Sequence, residues 1–129
     1  MIFGIGTDLV QQDRIQQSLD RFGDRFVQRL LLQQELEAFQ AQKNPTRFLA
    51  MRFAAKEAVV KAMGTGFAHG IWVRDVGTIQ NEWGRPEIIY SLRGKAMCRK
   101  LGIGEGHISL TDEAGFIVAF AVLLRAVDS

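Results

Sequence analysis

The segment Arg52–Gly66, RFAAKEAVVKAMGTG, constrains this chain more than any other stretch, because it strings Lys56, Glu57 and Lys61 along a run that is otherwise apolar on every side. At about 100° per residue, Glu57 and Lys61 project from one stripe, while Ala54, Ala55, Ala58, Val59, Val60, Ala62 and Met63 fill the rest of the circumference. A helix of this kind is a buried one, so the remaining chain must supply the layers that cover it. A buried carboxylate flanked by two ammonium groups is either a structural ion pair or part of a site that holds a metal and an anion.

The flanking segments supply those layers. Ile2 to Val10 is rich in β-branched and aromatic residues and carries two glycines, and if it is extended Asp8 shares a face with Gly4 and Gly6. From Asp13 to about Gln42 the spacing of Ile15, Leu19, Phe22, Phe26, Leu30, Leu31, Leu36 and Phe39 predicts two or three short helices, with Gly23-Asp24 as a break. Asn44-Pro45-Thr46 stops that region and starts the long helix, which runs from about Thr46 to Met63 and ends at Gly64-Thr65-Gly66. Strands are predicted at Val73–Gln80 and Glu87–Ser91, a helix at Leu92–Leu101, and a hairpin of His107–Thr111 with Gly115–Leu124. The pattern is α+β: a small antiparallel sheet packed against a long buried helix and several shorter helices. The last strand, FIVAFAVLL, is apolar on both faces, so either the helices or another copy of the chain must cover its second face.

Bulk properties narrow the function. The 129 residues, 47% of them hydrophobic, suit one domain spanning residues 1–129. A net charge of +2 is too small to imply nucleic acid by itself. Cys98 is the only cysteine, so an internal disulfide and a Cys/His zinc cluster are both excluded, and a reducing cytoplasm is the expected setting. The N-terminus lacks a basic segment followed by a long apolar one, and no run approaches the roughly 20 apolar residues of a membrane span, so neither export nor membrane insertion is expected.

Four groupings could carry chemistry. Asp8 and Glu57 are two carboxylates from a strand and a helix that could meet in space, a donor set that suits Mg²⁺; the plain alternative is that Glu57 pairs with Lys61 at i,i+4 and Asp8 begins a turn. Lys56, Lys61 and Gly64-Thr65-Gly66 place ammonium groups beside a flexible backbone that could face a phosphate, although helix followed by glycines is the reverse of a nucleotide-binding loop. Arg14, Arg21, Arg25 and Arg29 read as a solvated basic face or as a dock for an acidic protein. His107, Ser109 and Thr111 share a strand face on which a phosphate or hydroxyl could be held.

Taken together, GIGTDLV at Gly4–Val10 and RFAAKEAVVKAMGTG at Arg52–Gly66, with the distance between them, resemble the two signature motifs of the holo-acyl-carrier-protein synthases, a family of 4′-phosphopantetheinyl transferases. The resemblance covers essentially the whole chain. It implies the transferase fold and transfer of the 4′-phosphopantetheine arm of coenzyme A to a serine of apo acyl carrier protein in fatty acid synthesis, with release of adenosine 3′,5′-bisphosphate. It further implies that Asp8 and Glu57 hold Mg²⁺, that Lys61 contacts the phosphates with Lys56 helping, and that the backbone of Gly64, Thr65 and Gly66 lines the same cleft. A water on the metal, Glu57 and Lys61 are the candidates for the general base. Arg14, Arg21 and Arg25 would guide the acidic carrier, while Arg52 and His107 would help hold the 3′-phosphate. Such proteins are homotrimers with sites between neighbouring chains, which would explain the doubly apolar last strand. Many members carry a histidine where Ser109-Leu110-Thr111 here runs into Asp112.

Overall fold

A computed structural model describes residues 1–127. In chain order the elements are β1 (Ile2–Gln11), α1 (Gln12–Phe22), α2 (Asp24–Leu30), α3 (Gln33–Phe39), α4 (Pro45–Met63), a 3₁₀ turn (Val73–Asp75), β2 (Val76–Gln80), β3 (Pro86–Tyr90), α5 (Leu92–Leu101), β4 (Ile103–Glu113) and β5 (Phe116–Arg125). The strands form two antiparallel sheets, three-stranded β1-β5-β4 and two-stranded β2-β3, with α4 packed on the inner face of the first. This is the expected α+β architecture with the sheet divided in two.

The ends of α4 are set by local chemistry. Asn44 Oδ1 accepts from the Arg47 amide at 3.1 Å, Pro45 occupies the first turn, and Gly64 closes the helix in the left-handed region at φ 82°. Leu49, Ala50, Ala54, Ala55, Ala58, Val59 and Val60 are wholly buried, and with Ile117, Ala119, Ala121 and Leu123 of β5 they form the centre of the core.

Close contact between α4 and β1 depends on two missing side chains. A Cβ at Gly4 would collide with the Ala62 carbonyl, and one at Gly6 with the Ala58 carbonyl and, at 2.7 Å, the Ala62 amide. Helix and strand run in opposite senses, so the next inward position on the strand, Asp8, meets the helix nearer its middle, at the level of Glu57. The glycines that sequence reading placed on the face of Asp8 are thus what lets the helix come within reach of that carboxylate.

Several expectations need correction. The fully enclosed charge on α4 is Lys56, whereas Glu57 is half-buried and Lys61 exposed. The strand expected from Val73 begins at Val76, because Asp75 accepts the Trp72 amide at 2.8 Å and curls Val73–Asp75 into a turn. The strand expected from His107 begins at Ile103: Gly106 lets the Leu123 side chain lie where its own Cβ would be, at 2.6 Å, and glycine continues the ladder there instead of ending it. β5 is apolar up to Arg125, but only one face lies against α4; Phe116, Val118 and Phe120 on the other face remain substantially exposed.

Candidate active site

Asp8, Glu57 and Lys61 come together at one end of the α4–β1 contact. Lys61 Nζ donates to Asp8 Oδ1 at 3.1 Å and to the Thr7 carbonyl at 3.0 Å, so its partner is Asp8 and not Glu57 four residues earlier. Burial raises the Glu57 pKa above the usual carboxylate range, and the charge of Asp8 raises it further, with Lys61 partly opposing both. Two carboxylates therefore sit close enough to feel each other without a cation fully compensating both.

They open into a cavity of about 630 Å³ walled by Asp8, Glu57, Arg14, Ser18, Phe53 and Phe116, among others. Among the described residues there is no group of three or more His, Cys, Asp or Glu able to enclose a metal ion. A pair of carboxylates facing an open cavity suits a hard cation such as Mg²⁺, which takes one or two protein oxygens and fills its remaining positions from water and substrate phosphate.

Lys56 is not at this site. It is 0% exposed; its ammonium donates to Glu35 Oε1 at 2.7 Å and to the Val76 carbonyl. The expectation that it helps hold phosphates is overturned, because one helical position from Glu57 its side chain turns about 100° away, into the core. Arg52 faces the same way, with Nε 3.6 Å from Glu35 Oε2 and its guanidinium stacked over the Phe48 ring at 4.1 Å, which leaves little of it for a phosphate. Burial lowers the pKa of both cations, and the charge of Glu35 opposes the shift. Glu35 also accepts the Leu32 and Thr78 amides, both at 3.0 Å, and so ties α3, α4 and β2 together. Sequence reading missed Glu35 as the partner; a lone glutamate near the start of a seven-residue helix carries no signal that it is enclosed.

The other residues lie around this centre. Gly64, Thr65 and Gly66 follow Lys61 at the end of α4, on the Gly4 side, and do not line the Asp8–Glu57 cavity. Arg14, Arg21 and Arg25 are exposed on α1 and α2; Arg14 borders the cavity, and Arg21 lies over the exposed Phe22 ring at 5.1 Å. His107 pairs in register with Val122, whereas Asp8 pairs with Ala119, so the two project from opposite faces of the three-stranded sheet. His107 Nε2 lies 3.2 Å from Glu105, and it lines a second cavity of about 400 Å³ with Arg85, Pro86, Ser109, Phe120 and Val122. Arg85, which the sequence did not single out, is a cation that shares that wall with His107. Asp112, at the position where the family pattern has histidine, receives two hydrogen bonds from Arg47 at 2.8 and 3.1 Å, and these hold its carboxyl below the usual range.

Comparison with known proteins identifies the family of this chain. The sequence profile of the 4′-phosphopantetheinyl transferase superfamily matches residues 4–121. The chain is 46% identical to the holo-[acyl-carrier-protein] synthase of Aromatoleum aromaticum over 123 residues, covering 95% of this chain and 98% of that one. Its fold superimposes on the crystal structure of holo-[acyl-carrier-protein] synthase from Neisseria meningitidis with a TM-score of 0.93, at 38% identity over 97% of this chain and 100% of that one. The synthase from Bacillus anthracis, solved in complex with CoA (3′,5′-ADP), gives a TM-score of 0.80 at 32% identity, covering 98% and 99% of the two chains. The chain therefore belongs to the 4′-phosphopantetheinyl transferase superfamily and, within it, to the holo-[acyl-carrier-protein] synthases.

Proposed function

We propose that this protein transfers the 4′-phosphopantetheine arm of coenzyme A to a serine hydroxyl of apo acyl carrier protein, with Mg²⁺ held by Asp8 and Glu57, in fatty acid synthesis in the cytoplasm. The observation that carries this reading is the convergence of Asp8, Glu57 and Lys61 at the edge of a cavity large enough for a pantetheine arm and a serine side chain.

When bound, Mg²⁺ supplies charge neutralisation for the diphosphate oxygens and for the bridging oxygen as it leaves. Asp8 and Glu57 fix where that charge sits, and the α4–β1 contact keeps both on rigid elements. Lys61, half exposed and flexible, pairs with the phosphate oxygens as a point charge. Glu57 and Lys61 are the candidates that this chain itself offers to accept the serine proton. Positioning and electrostatics account for most of the rate, as in phosphoryl transfer generally. Arg14 at the cavity wall, with the exposed Arg21 and Arg25 of α1 and α2, steers an acidic carrier towards the reacting centre.

A homotrimer completes the site. His107 and Arg85 open on the sheet face opposite Asp8, which suits a coenzyme A site shared between two copies of the chain, each contributing one set. That outer face is also apolar: Leu9 is 62% and Phe120 41% exposed, with Ile5, Phe116 and Val118 around them. A patch of this kind marks a face that another protein covers. Among the described residues no helix is long and apolar enough to cross a membrane.

The distinguishing experiment follows release of adenosine 3′,5′-bisphosphate from coenzyme A with Mg²⁺, in the presence and absence of apo carrier. Release that requires the carrier supports the transfer reading. Equal release without carrier would make the protein a pyrophosphate-bond hydrolase instead.

A further inference from the structure

The Lys61–Asp8 contact has a place of its own in this chemistry. Lys61 Nζ is held by Asp8 Oδ1 at 3.1 Å and by the Thr7 carbonyl at 3.0 Å, both from β1. The Asp8 carboxylate is nearly enclosed, at 15% exposure, while the Lys61 side chain is 50% exposed. The lysine can therefore swing outwards while Asp8 stays fixed by the strand. An ammonium and a dication competing for one carboxylate repel each other strongly over a few ångströms. Removing the ammonium without replacing it would leave Asp8 and Glu57 facing each other uncompensated.

We propose that Lys61 is a placeholder cation: in the free protein it occupies Asp8, so that the divalent ion and coenzyme A load together, the diphosphate drawing the ammonium off Asp8 as it brings its own oxygens to the metal. This rests on the reading of Asp8 and Glu57 as the metal site. The consequence is a positive coupling between the two ligands, and by thermodynamic reciprocity coenzyme A must tighten the metal by the same factor that the metal tightens coenzyme A. Lys61 is then a positioning residue for loading as well as a phosphate contact. Its removal should have opposite effects on the two ligands, weakening coenzyme A and strengthening the bare metal.

The test titrates Mn²⁺, read by the loss of its free EPR signal, onto the full chain with and without coenzyme A and with no carrier present. The wild type should bind Mn²⁺ weakly alone and much more tightly with coenzyme A. Lys61→Met should bind Mn²⁺ alone roughly two- to fivefold more tightly than the wild type, as expected for freeing a carboxylate from an exposed ion pair, and should show a smaller enhancement by coenzyme A. Lys61→Arg should behave as the wild type. Unchanged or weaker Mn²⁺ binding by Lys61→Met, in a protein with wild-type circular dichroism and melting, overturns the proposal; Lys61→Gln serves in its place should the methionine variant fail to fold. Asp8→Asn separates the two levels of argument: Mn²⁺ binding that survives it removes Asp8 from the metal site and the placeholder role with it, whereas loss of binding there with no effect at Lys61 overturns the placeholder role alone.

Discussion

Gly6 lies directly beneath the carbonyl oxygen of Ala58, and their contact sets the separation of strand and helix on which the whole site depends. Neither residue lines the cavity, yet Asp8 comes within electrostatic range of Glu57 because nothing projects from Gly6.

Gly6→Ala should therefore be costly out of proportion to one methyl group. The obstructing atoms are helix backbone, which cannot move aside as a side chain can, so overpacking should lower stability by about 3 kcal/mol. Urea denaturation would measure this, and transfer activity should fall further than the folded fraction, since Asp8 shifts with the strand.

The Lys56–Glu35 pair makes a different prediction. Lys56→Met leaves Glu35 buried without its main cation and should destabilise by about 3–5 kcal/mol. Adding Glu35→Leu should recover only part of that loss, because the Leu32 and Thr78 amides then lose their acceptor. Coenzyme A affinity of the folded fraction should stay near the wild-type value. A large loss of affinity with stability intact would return Lys56 to the phosphate site.

The comparison of these two lysines shows what the sequence could carry. The all-round apolar run at 52–66 identified the central helix, and Asn44-Pro45 and Gly64 marked its ends, because capping chemistry is local. The conjunction of Asp8 with Glu57 came from two motifs matched together, with the Gly4/Gly6 pattern as its physical trace. Which lysine turned into the core was not legible: Lys56 and Lys61 differ only in helical phase, and the residue that claims Lys56, Glu35, lies 21 positions away with no pattern joining them. The strand start at Ile103 was hidden for a related reason, since glycines at 104 and 106 weaken any local strand pattern and only the packing of Leu123 and Ala126 shows why glycine suits a strand there.

Asp75 provides a pH signature. Burial pushes its pKa up, but hydrogen bonds from Ser91 Oγ at 2.7 Å, the Trp72 amide at 2.8 Å and Arg93 Nε at 2.9 Å outweigh burial and hold it below the usual value. A depressed folded-state pKa contributes stability that is present above the unfolded pKa, about 4, and is lost as pH falls through the folded one. Asp75→Asn should lower stability at pH 7 by about 1–3 kcal/mol. It should also flatten the decline in stability below about pH 4. Urea midpoints at pH 7 and pH 3 test both; parallel curves for variant and wild type would contradict the assignment.

The apolar outer sheet face predicts a trimer in solution by sedimentation equilibrium. Phe120→Asp places a charge at the centre of that face and should give monomer with the fold retained, because the residue does not pack against α4. Activity should fall with the trimer fraction. A monomeric wild type of full activity would separate the site from any second copy.

The proposed transfer of phosphopantetheine turns on Asp8 and Glu57 of this chain holding the metal. The most direct measurement is the intact mass of apo acyl carrier protein after incubation with coenzyme A, Mg²⁺ and either the wild type or Asp8→Ala. A gain of one phosphopantetheine group is expected with the wild type and none with a folded Asp8→Ala protein. No gain with the wild type, or near-normal conversion by the variant, would contradict it.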